Sequence, residues 1–282
     1  MGVDYKARVH ERLPAIRESI AQAAERAGRD PGGVRIVAVT KGHSLEAVRA
    51  AVAAGLFDLG ENRVEELEEK VQAFGRENVR WHMVGHLQRR KVPRVLATCD
   101  LLHSVGTVAL ARRVSDRWLD AARGAPVAAG ARRAAHPGSP PGADAVSESS
   151  GGGHGTPDPL GTQEGEPGRD PGFPVLLQVN TSGEEAKGGF RFEGAEDEFA
   201  EVLELPGLQV RGLMTMAPYT EQEAVLRRTF RRLRELQDAL APHPRYRGRE
   251  LSMGMTNDYT IAVEEGSTMV RLGTALFGER PA

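Results

Sequence analysis

Lys41 stands where an apolar run stops. Residues 34–39, VRIVAV, are dominated by β-branched side chains, the pattern of a strand buried on both faces. Thr40 and Lys41 leave that run, Gly42 breaks it, and Ser44 is placed to cap a helix that begins at Leu45. The amine therefore sits at the C-terminal end of a strand, on the rim where α/β folds bind ligands. A lone lysine in such a loop is more often a solvated charge. Held in a partly dry pocket, the same amine loses basicity and can condense with an aldehyde as a Schiff base. The other strand ends decide between the two readings.

Two later stretches carry complementary chemistry, SMGMTND from Ser252 and RLGTALFG from Arg271. Gly273 lets an anion approach the backbone, and the N–H groups that open the next helical turn favour one. Ser252 and Thr274 add hydroxyl donors. Arg271 lies inside a strand of apolar residues, and a buried guanidinium stays charged and needs a partner. A salt bridge to Glu61 or another rim acid would satisfy it. The other expectation is contact with a ring nitrogen of a cofactor whose phosphate lies at Gly273 and Thr274. An amine for an aldehyde, a phosphate cradle and a partner for a pyridine nitrogen together describe a pyridoxal-phosphate site. A phosphate-ester enzyme using Lys41 as an electrostatic clamp is the competing reading.

Elements must bring these residues together. Strands are predicted at 34–39, 57–60, 79–84, 101–105, 175–179, 210–216, 251–254 and 269–272. Helices are predicted at 4–26, 45–54, 64–74, 91–97, 108–122, within 190–205, at 221–240 and at 259–265, with a last apolar turn at 274–277. Pro14 predicts a kink or a late start in the first helix. Strict alternation implies a parallel sheet with helical crossovers. Eight units in this length give an α/β fold, a (β/α)8 TIM barrel with an extra N-terminal helix. A doubly wound open sheet is the runner-up, weakened by the missing Gly-rich fingerprint after the first strand. In a barrel all strand C-termini meet on one face. That rim would gather Lys41, Glu61, Asn62, His82, His86, His103, Ser104 and the two donor-rich loops.

Residues 124–172 interrupt this rhythm: they contain no aromatic residue and are dense in Gly and Pro. They are read as a disordered insertion in a single 1–282 barrel domain. His136 and His154 fall inside it without partners at ligand spacing, so no metal role is assigned. A net charge of −2 gives no reason to expect a nucleic-acid or membrane partner. Cys99 is the lone cysteine, as suits a reducing cytoplasm, and the N-terminus has no apolar signal region.

The blocks AVTKGHS, GENRVEEL, WHMVGHLQRRK, LLHSV, LLQVNTSGEEAKGGF, GLMTMAP and LSMGMTNDYTIAVEEGSTMVRLGTALFGER resemble the pyridoxal-phosphate homeostasis protein family. The resemblance covers the chain outside 124–172. It implies a single barrel similar to the N-terminal domain of alanine racemase, with pyridoxal 5'-phosphate as cofactor. By position it implies a Schiff base on Lys41, Asn62 near the ring, Arg271 facing the pyridine nitrogen, and Ser252, Met253, Gly273 and Thr274 at the phosphate. Arg90 stands where the family usually has Asn, and Gly106 where an acid is usual. The implied protein is a cytoplasmic monomer that carries the cofactor, with cofactor-dependent apo-enzymes as recipients and without significant amino-acid turnover. A minimal racemase is the alternative. It needs a second acid–base group, for which Tyr219 and Tyr259 are the candidates in principle.

Overall fold

The computed structural model describes residues 3–124, 172–184 and 187–280. In chain order they form α1 (Tyr5–Arg26), β1 (Arg35–Val39), α2 (Leu45–Ala53), β2 (Asp58–Glu61), α3 (Val64–Phe74), β3 (Arg80–Met83), α4 (Val92–Thr98), β4 (Leu101–Val105) and α5 (Val108–Gly124). The chain then gives β5 (Phe173–Asn180), β6 (Phe190–Arg191), α6 (Ala195–Leu203), β7 (Leu208–Met214), α7 (Glu223–Leu240), β8 (Glu250–Ser252), α8 (Tyr259–Glu264), β9 (Met269–Leu272) and α9 (Thr274–Phe277). Every strand pairing is parallel. The order β4-β3-β2-β1-β9-β8-β7-β5 closes on itself because β4 also pairs with β5. The result is an eight-stranded barrel in which each strand is followed by a helix, with α1 as the addition before the first strand. Apart from its two end residues, the Gly/Pro-rich stretch 124–172 lies outside the described residues, as do His136 and His154.

Two details depart from expectation. The helix predicted within 190–205 runs from Ala195 to Leu203, after Gly194 in a left-handed φ of 82°, but it does not fill the stretch. The residues before it form β6, a ninth strand outside the ring, paired to the end of β5. Phe190 is buried there, edge-to-face on Phe199 of α6. Pro14, in turn, neither delays nor splits α1: it lies on the exposed face, where water can satisfy the carbonyl that loses its donor.

Alternation along each strand sorts the side chains into two cores. Val37, Val39, Val84, Leu101, Leu176, Met214 and Met269 fill the barrel interior. Ala38, Leu59, Trp81, Met83, Leu102, Leu177, Leu213, Val270 and Leu272 face outward and pack under the helices. That period of two assigns the site residues to one side or the other of the wall.

Candidate functional site

The β1 alternation that points Val37 and Val39 inward also directs Lys41 to the interior side of the rim. The loop that carries it is well anchored. The Thr40 N–H donates to the Gly60 carbonyl at 3.0 Å, the His43 N–H donates to the Thr40 carbonyl at 3.0 Å, and the Gly42 N–H donates to Glu66 Oε2 at 2.8 Å. Gly42 has φ 68° and lies under the Arg280 side chain, where a Cβ would come within 2.6 Å of it. Tyr5 Oη lies 3.1 Å from His43 Nδ1, which ties the loop to the first helix. Lys41 itself is half-buried and makes no hydrogen bond or ion pair with any described residue. Burial pushes its ammonium below the usual lysine range, and the Arg280 and Arg271 cations push in the same direction.

Arg271 lies on β9, the neighbouring strand, in register with Val37. Its guanidinium is buried and has no carboxylate partner among the described residues. Nη1 donates to the Ser252 carbonyl and to Ser252 Oγ, each at 2.6 Å, and Nη2 donates to the Thr215 carbonyl at 2.8 Å. The expected Glu61 salt bridge is not made. Glu61 turns out of the barrel and pairs with Lys70 of α3, Nζ to Oε1 2.7 Å. Burial pushes the Arg271 guanidinium down to about 10, still a cation near neutrality. Three hydrogen bonds leave two of its five N–H donors, one on Nε and one on Nη2, without an acceptor among the described residues.

At the turn after β9, the Ala275 N–H donates to Thr256 Oγ1 at 3.2 Å. The N–H groups of Gly273 and Thr274 have no acceptor among the described residues. A Cβ at Gly273 would sit 3.1 Å from the Val39 carbonyl oxygen, so the two strand ends approach closely here. Asn62 is half-buried and shares the inward alternation of Asp58 and Gly60.

Two residues expected at the phosphate, Met253 and Ser252, already make contacts within the chain. Met253 faces outward into the helix-side core, and its N–H donates to the Met269 carbonyl at 3.1 Å, so neither its side chain nor its N–H reaches the interior. Ser252 does face inward, but its fully buried hydroxyl is engaged with Arg271 and with His103 below the rim. His82 and His103 were expected on the rim and instead lie buried inside the barrel, whereas His86 is exposed. Tyr219 is 93 % exposed, and Tyr259 packs against the helix-side core. Thr215, Thr256 and Arg280 complete the neighbourhood of Lys41 and Arg271. Thr256 falls in one of the two donor-rich loops, and Thr215 near the end of the strand predicted at 210–216. No periodicity marks Arg280.

The closed parallel barrel with its ring of helices is the fold of the N-terminal domain of alanine racemase. Residues 162–281 match the family model for that domain. An alanine racemase from Clostridium difficile superposes with a TM-score of 0.65 over 96% of this chain and 58% of its own, at 12% identity, and so supports the fold alone. The structure of PipY from Synechococcus elongatus with PLP bound superposes with a TM-score of 0.69 at 28% identity, covering 96% of this chain and all of PipY. The pyridoxal phosphate homeostasis protein of Aquifex aeolicus is 34% identical over 270 residues, 96% of this chain and 97% of the relative. That of Escherichia coli K12 is 31% identical over 273 residues, 95% of each chain. The chain belongs to the pyridoxal phosphate homeostasis protein family.

Proposed function

We propose that this protein binds pyridoxal 5'-phosphate and acts as its carrier rather than as an amino-acid-converting enzyme. The observation that carries the reading is the pair formed by Lys41 and Arg271 on adjacent strands. One is an amine with reduced basicity and no competing partner. The other is a cation fixed by neutral oxygens with two N–H donors to spare. Bound there, the cofactor supplies an aldehyde for an amine and a ring that draws electrons. Lys41 would be the amine that holds the aldehyde. Arg271 would serve the ring nitrogen and Asn62 the ring, while the N–H groups of Gly273 and Thr274 would hold the phosphate. PipY, a relative of 28% identity, is described with PLP bound, which supports the same ligand here.

The restraint on turnover follows from Arg271. A permanent cation beside the pyridine nitrogen disfavours its protonation, which weakens the ring as an electron sink. The exposed Tyr219 and the outward-packed Tyr259 offer no inward-facing acid–base partner to Lys41. Release of the cofactor to apo-enzymes is the use such a site suits.

The test is a visible spectrum of the purified protein before and after borohydride, followed by peptide mapping. A yellow band that reduction abolishes, with the label on the Lys41 peptide, is expected. A protein that stays colourless with added cofactor would favour the phosphate-ester reading. Racemisation of any amino acid that disappears in Lys41→Ala would overturn the carrier role.

A further inference from the structure

Five side chains form one buried line through the barrel interior, and the cofactor reading uses only its last member, Arg271. Asp58 Oδ1 lies 2.9 Å from His82 Nε2, and His82 Nδ1 lies 2.8 Å from His103 Nε2. His103 Nδ1 lies 3.0 Å from Ser252 Oγ, which accepts from Arg271 Nη1 at 2.6 Å. The other Asp58 oxygen accepts from Arg80 Nη2 at 2.8 Å. The line thus crosses from β2 through β3, β4 and β8 to β9.

The chemistry of each member fixes the direction of the whole. Burial pushes the Asp58 carboxyl up, but the His82 and Arg80 contacts outweigh it and hold the group below the usual carboxylate range, so it only accepts. Burial pushes the His103 imidazole well down, and the Arg271 cation beside it adds to that, so the ring is neutral with one N–H. His82 must then carry a proton on Nε2 to reach Asp58. In the tautomer that leaves His82 Nδ1 bare, that nitrogen accepts from His103 Nε2. His103 Nδ1 is bare in turn, and the Ser252 hydroxyl donates to it. The Ser252 lone pairs are left facing Arg271, which has only donors to offer. Every contact is matched, and every proton points toward Asp58.

We propose that Asp58, His82 and His103 are positioning residues that act through Ser252 to hold the guanidinium of Arg271 in place and in its donating orientation. The proposal rests on the cofactor reading only for what the free edge of Arg271 faces. In Asp58→Asn the amide can donate to His82 Nε2. The line can then reverse, the Ser252 hydroxyl loses its acceptor, and the seat of Arg271 loosens.

The experiment has two parts, and the first needs no cofactor. Nitrogen–proton correlation spectra of the imidazoles and of the Arg271 side chain are recorded on the protein alone, on Asp58→Asn and on His103→Phe. Both histidines are expected to carry their proton on Nε2. Asp58→Asn should move the His103 and Arg271 Nε–H signals, although Asp58 touches neither. An Arg271 signal unmoved in both variants, or wild-type histidines protonated on Nδ1, would overturn the proposal. If His103→Phe does not fold, the near-isosteric Asp58→Asn still decides. In the second part, pyridoxal phosphate is added. His103→Phe should shift the visible band and speed cofactor loss, His103→Gln should restore part of both, and the exposed control His10→Gln should change neither. A band and release rate unaltered in His103→Phe would overturn the link to the ring. If even the wild-type chain takes up no cofactor, the carrier reading fails while the first part still stands or falls by itself.

Discussion

Lys70 Nζ lies 2.7 Å from Glu61 Oε1, and both side chains are withdrawn from water. The same ammonium donates to the Thr40 carbonyl at 2.7 Å, so one buried pair supports the loop that presents Lys41. Burial pushes the Glu61 carboxyl up, and Lys70 and Thr40 work against that push. Glu61 Oε2 is buried with no hydrogen-bond partner among the described residues.

Lys70→Met should therefore leave an uncompensated carboxylate and lower stability by about 3–5 kcal/mol at neutral pH. The sign of the pH dependence follows from the raised carboxyl. A folded-state value above the unfolded one means that stability is lost as pH rises through the folded value. The deficit of Lys70→Met should thus shrink on mild acidification. Urea unfolding at several pH values measures it, and a small deficit that ignores pH would show that the pair is not stabilising the fold.

Asp58 works in the opposite direction. Its folded carboxyl is held below the ordinary value, so its contribution is present above about pH 4 and fades as pH falls toward the folded value. Asp58→Asn should flatten the acid limb of the stability curve below that point. Equal acid slopes in the two proteins would contradict the His82 and Arg80 contacts.

Arg271→Met tests the ring-nitrogen seat. Losing a charge-assisted hydrogen bond of about 1.5–3 kcal/mol should weaken pyridoxal-phosphate binding at least about tenfold. Titration followed by the visible band reads this directly. Unchanged affinity would remove Arg271 from the site.

Gly60 leaves space inside the barrel beneath Lys41. A Cβ there would lie 3.0 Å from Val37 Cγ1 and 3.2 Å from Val39 Cγ2. Gly60→Ala should cost about 1–3 kcal/mol by overpacking, as seen in thermal or denaturant unfolding. A neutral change would mean that the interior has slack.

The barrel was legible because period-two apolar runs alternate with amphipathic helices, and Lys41, Arg271 and Gly273 were legible because each breaks such a run in a chemically marked way. The inward line from Asp58 to Arg271 was not. Asp58 reads as an ordinary strand-start residue, and His82 and His103 read as rim residues. Their depth depends on where β3 and β4 sit relative to their neighbours, a register that one strand does not encode alone. The outward packing of Met253 was hidden for a related reason. The residue falls within the phosphate motif, yet a shift of one residue along β8 separates the wall's inner face from its outer. The Glu61–Lys70 pair was hidden because Glu61, placed on the rim by its strand end, turns outward to a helix.

The wall closes where β1 meets β9, strands from opposite ends of the chain, with Val37 beside Arg271. Lys41 hangs from one side of that seam, Arg271 and Gly273 from the other. The first helix buckles both: Tyr5 reaches His43, Arg8 donates to the Phe277 carbonyl at 3.0 Å, and Arg12 donates to the Thr274 carbonyl at 3.2 Å. Contacts so distant in sequence are the slow ones to form. The amine and the arginine cannot confront each other until the ring is shut. In the proposed site, any loosening of this seam would part both handles on the ligand at once.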